Sequence, residues 1–91
     1  MNPQTRELLR LALLRVLEAN STRYGLGLEA LRHLTTPFGF YLPEPELVEA
    51  EIRYFEDKGF ATQIAKPISP ENRAWRITAG GRDYLASLSP G

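Results

Sequence analysis

The chain has no cysteine, and only one histidine, one methionine and one tryptophan among its 91 residues. Without cysteine there is neither a disulfide framework nor a thiolate metal site, and a lone His33 leaves no second imidazole to share an ion. Net charge is missing as well. Eleven Lys and Arg balance eleven Asp and Glu, so no global field draws the chain toward nucleic acid, and any such affinity has to come from a local patch. Long apolar runs are also absent. The most apolar stretch, Leu8 to Ala19, is broken by Arg10, Arg15 and Glu18, so it fits neither a membrane span nor a signal-peptide core, and a cytoplasmic protein is expected. Gly25-x-Gly27 lacks the third glycine of a dinucleotide loop, and Ser21, Ser69 and Ser87 have no histidine–carboxylate partners suggested by the sequence. The expectation is therefore no catalytic residue, no bound metal and no cofactor.

What is present reads as one small globular domain. Apolar residues at 43% and charged residues at 24% exclude a disordered chain, and this length supports a single modest core, here residues 1–91 with the packed part at about 4–88. Pro3 suits the first turn of a helix running to about Asn20. Its Leu9, Leu13, Val16 and Leu17 lie on one side, while Leu8, Leu11 and Leu14 spread around the rest. That surplus has two readings: a helix buried by its own domain, or one that turns Leu8, Leu11 and Leu14 toward a second subunit. Leu28, Leu31 and Leu34 give a short second helix after the turn-like Asn20 to Gly25. A loop with Pro37, Gly39 and Pro43 follows, and its Phe38, Phe40 and Tyr41 are expected to lie as lids on the core.

A third helix begins at Pro45 and ends at Lys58, before a left-handed C-cap at Gly59, with Val48, Ile52 and Phe55 as its buried stripe. Phe60, Thr62 and Ile64 then alternate with Ala61, Gln63 and Ala65, and Trp75 and Ile77 alternate with Ala74 and Arg76 across a turn. Thr78 is placed to cap a last helix. The expected core is Leu9, Leu13, Val16, Leu31, Leu34, Val48, Ile52, Phe55, Phe60, Ile64, Trp75, Ile77, Tyr84 and Leu85. The fold class is mostly α with a small β-sheet.

The third helix into the hairpin, Glu51 to Ala61, and Trp75-x-Ile77-Thr78-x-x-Gly81-x-x-Tyr84-Leu85 together resemble the second half of a winged helix-turn-helix domain. The span from Leu34 to Thr62, with its Phe38-Gly39 loop, is also similar to small winged-helix proteins of Mu-like phages and prophages. The resemblance implies a three-helix core, a β-hairpin wing and a C-terminal helix. It also implies a transcriptional regulator that lays its third helix in the major groove of double-stranded DNA.

Two functional readings stay open. In the first, duplex DNA is contacted mainly by the wing, with Lys66, Asn72, Arg73 and Arg76, by Arg23 and Arg32 near the second helix, and by Arg53 as the groove-facing base. The chain would then act as a homodimer through Leu8, Leu11 and Leu14. Opposing this, Pro43 to Lys58 holds six acids and two bases, whereas phosphate neutralisation calls for positive charge. Glu44 and Glu46 also suit a helix N-terminus, and Glu49 is spaced to pair with Arg53. In the second reading the domain is a protein-interaction module, and Glu44, Glu46, Glu49, Glu56 and Asp57 meet a basic partner. His33 is expected to be a hydrogen-bonded surface residue and Trp75 a core residue.

Overall fold

The computed structural model describes residues 2–20, 24–64 and 73–88. Arg23, Lys66 and Asn72 lie outside them. Asn2 caps the first helix, α1 (Pro3–Ala19), by accepting the Thr5 amide at 2.8 Å, which satisfies one orphan donor of the first turn. Then come β1 (Leu26–Gly27), α2 (Leu28–Leu34), a single 3-10 turn at Thr36–Phe38, α3 (Pro45–Lys58), β2 (Ala61–Ile64), β3 (Ala74–Ile77) and α4 (Ala79–Leu88). The result is a mainly helical protein with one three-stranded antiparallel sheet in the order β1-β3-β2.

The core sits between α1 and the sheet and is closed by α2, α3 and α4. Leu9, Leu13 and Leu17 of α1 meet Leu31, Val48, Ile52, Phe55, Trp75, Ile77 and Leu85 there. Each such side chain contributes roughly 1.5–3 kcal/mol by leaving water. Proline starts α3, Gly59 ends it at φ 78°, and the chain turns straight into β2. Thr78 caps α4 by accepting the Gly81 amide at 3.1 Å, and it donates its own hydroxyl proton to the Gly59 carbonyl. One threonine thus ties the start of α4 to the end of α3.

Several expected core positions are corrected. Leu34 and Tyr84 are exposed, at 36% and 42%, and Phe60 and Ile64 are only partly buried. Phe60 falls just outside β2, where its ring stacks on Tyr84 at 4.7 Å between centroids, so the inward partner of Ile77 is Ala61 instead. Leu14, expected to be a subunit contact, is buried in its own domain, as are Leu17 and Ala12. Of the three aromatics expected to lie as lids, only Phe40 packs on the core; Phe38 and Tyr41 face solvent, Tyr41 at 82%. The loop reaches the core through Thr35 instead, whose buried hydroxyl is shared between the carbonyls of Arg32 and Phe40 at 2.9 and 3.1 Å.

Candidate nucleic-acid interface

The six acids on and just before α3 do not form one face. Glu51 recurs with Val48, Ile52 and Phe55 at the spacing of the buried stripe, and it is fully buried. Its carboxylate accepts from Arg6 Nε at 2.7 Å and from Arg10 Nε, both on α1. The Arg10 guanidinium also lies 3.8 Å over the Tyr54 ring, a cation–π contact that helps hold it in place. The triad fastens α1 to α3. A buried carboxylate is tolerated only when its lone pairs are met, and two guanidinium donors meet them.

Glu49 points toward the hairpin. It accepts a hydrogen bond from Arg73, just ahead of β3, and the expected pair with Arg53 is replaced by this one. The Arg73 hydrogen bond and then its charge hold the Glu49 carboxyl below its ordinary value near 4.5, with the Arg53 charge adding to the effect. Arg73 also lies 5.3 Å from the Trp75 ring centre, and Trp75 Nε1 donates to Glu56 at 2.8 Å. These contacts lock the root of the hairpin onto α3 and confirm Trp75 as a core residue. The solvent-facing line that remains on α3 is Glu46, Ala50, Arg53 and Asp57 at i, i+4, i+7 and i+11, all exposed, with Glu44 exposed just before the helix.

The bases expected to converge on DNA are brought together only in part. Arg53 and Arg73 are neighbours across Glu49. Arg76 is exposed and paired in register with Thr62, but the pleat places it on the opposite face of the hairpin from Arg73. Arg32, expected on the exposed side of α2, is folded inward: its Nε donates to the Pro43 carbonyl at 2.7 Å and its NH1 to the Glu29 carboxylate at 2.8 Å. The long loop returns beside α2 and its carbonyl needs a donor, so Arg32 works as a brace between α2 and the entry to α3. His33 is exposed, and its Nδ1 donates to the Glu29 carbonyl at 2.8 Å. Among the described residues, no cluster of three or more His, Asp or Glu could hold a metal ion, and no helix is long and apolar enough to cross a membrane.

Sequence reasoning missed the Glu51 triad and the Arg32 brace. The first had a signal, since a glutamate three residues after Val48 and one before Ile52 falls inside the apolar stripe. The second had none, because the path of the loop decides it. Compared with known proteins, the chain matches no family profile, no curated protein and no solved structure.

Proposed function

We propose that the chain is a winged helix-turn-helix domain that binds duplex DNA as a transcriptional regulator, with α3 presented to the major groove and the β2–β3 hairpin as the wing. The element order supports the fold: helix, strand, helix, helix, hairpin and helix, with β1 completing the sheet. The observation that carries the DNA reading is the fate of the α3 acids. Glu51 turns inward and Glu49 is covered by Arg73, so the helix repels a phosphate backbone less than its composition suggests. Arg53 stands at the middle of the outward line beside Ala50, where a small side chain permits close approach of the groove. Arg73 stands next to it on the hairpin root, and Arg76 is available from the other face of the wing.

A specific observation favours a second reading, in which a basic protein docks on α3. Arg32 is withdrawn and Arg73 is engaged, while Glu44, Glu46 and Asp57 stay exposed. The double substitution Glu46→Gln and Asp57→Gln separates the two. On a fluorescently labelled duplex at low salt, the DNA reading expects it to raise affinity severalfold, because two repulsive charges leave the phosphate-facing surface. Unchanged or weaker duplex binding counts against that reading and turns attention to a basic partner, whose binding the same change would abolish.

A further inference from the structure

The side of α1 turned away from the core carries Gln4, Leu8, Leu11 and Arg15 at i, i+4, i+7 and i+11. Leu8 is 55% exposed and Leu11 half-buried. The surface falls away on both sides of this line. One hollow, about 460 Å³, runs toward Phe60, Tyr84 and Leu88; the other, about 410 Å³, runs toward Phe38 and Phe40. Leu8 and Leu11 line both, so they form a ridge between a groove of mixed character, which Gln4, Glu7 and Arg10 also line, and a mainly apolar one. Phe38, Tyr84 and Leu88, all exposed, widen the apolar band beyond the scattered single residues that a monomer surface ordinarily shows.

We propose that this face is a homodimer interface in which α1 packs antiparallel against α1 of a second copy. Ridge and grooves belong to one surface, so a two-fold axis places each copy's Leu8 in the other's groove, the self-complementary arrangement a symmetric dimer requires. The charges select the direction. Glu7 borders one groove and Arg15 the other, and neither makes an ion pair with a described residue of its own chain. Positions 7 and 15 lie equally far from Leu11, near the centre of the ridge. An antiparallel copy therefore brings Glu7 to the same height along the helix as the partner's Arg15, across the seam, twice, whereas a parallel copy sets like charges at one height. A lone basic or acidic partner helix would satisfy only one of these charges. The inference does not depend on DNA binding.

Sedimentation equilibrium from about 1 to 200 µM, a range that brackets micromolar self-association, tests it. The native chain is expected to dimerise. Leu8→Glu should be monomeric throughout while keeping the native circular dichroism spectrum, since Leu8 is largely exposed. Glu7→Arg and Arg15→Glu should each weaken the dimer about tenfold, and the two together should restore it. A native chain that stays monomeric over the whole range overturns the proposal, as does a Leu8→Glu chain that still dimerises. Failure of the charge exchange to restore association overturns the antiparallel register.

Discussion

Glu51 joins two helices that are 41 and 45 residues apart in sequence at the contact points with Arg10 and Arg6. Replacing it with Gln keeps the shape but removes the charge and one of the two acceptor oxygens, so one guanidinium faces an amide NH2 donor in place of its acceptor. Arg6 is half exposed and can return to water, but Arg10 is mostly covered, so the substitution is expected to cost about 2–3 kcal/mol in urea unfolding. A loss below about 0.5 kcal/mol, the scale of an ordinary surface change, would mean that the triad contributes nothing. Glu49 adds a pH dependence. Its folded pKa is depressed, so its stabilisation is present above the ordinary value near 4.5 and is lost as pH falls through the lowered value. Thermal melts of the native chain and of Glu49→Gln should differ at neutral pH and converge in acid below that value. Equal differences at both pH values would show that Arg73 and Glu49 do not interact in solution.

At the scale of elements, the helices were legible because their ends carry chemistry. Pro45 and Gly59 bracket α3, Thr78 caps α4, and α2 follows from three leucines. Both strands were legible as strands, and β3 in its facing too, with Trp75 and Ile77 inward, but β2 was not, since it begins one residue after Phe60 and so presents Ala61 inward. The loop from Thr35 to Pro43 was the least readable, because its fold rests on Thr35 and Arg32, polar residues that look solvent-facing in the sequence. The junction of α4 with the end of α3 has little slack. A Cβ on Gly81 runs into the Phe60 carbonyl oxygen and, at 2.7 Å, into Ile77 Cγ1, whereas one on Gly80 comes no nearer than 3.0 Å to the Gly59 carbonyl. Gly81→Ala is therefore expected to cost about 2–3 kcal/mol by overpacking. Gly80→Ala should stay within about 1 kcal/mol of the native chain, since the gain in helix propensity offsets the tight contact. Chemical denaturation checks both, and equal effects would contradict the packing described for α4.

For the whole molecule, balance of charge in the sequence becomes pairing of charges in the fold. Among the described residues, Arg6 and Arg10 pair with Glu51, Arg32 with Glu29 and Arg73 with Glu49, and two α3 carboxylates are neutralised with them. The sequence could supply the inventory of candidates but not this pairing, because Glu49 and Arg73 are 24 residues apart and meet only once the hairpin has docked. The candidate surface that results is narrower than the one read from the chain: Arg53 with Arg73 beside it, and Arg76 behind. The most direct test is fluorescence anisotropy of a labelled duplex titrated with the native chain, Arg53→Glu and Glu49→Gln at low and at physiological salt. Micromolar binding that weakens steeply with salt is expected. Arg53→Glu should weaken it at least tenfold, and Glu49→Gln should strengthen it as Arg73 is released toward the phosphates. Absence of binding at low salt, or binding indifferent to Arg53, would contradict the DNA-binding reading.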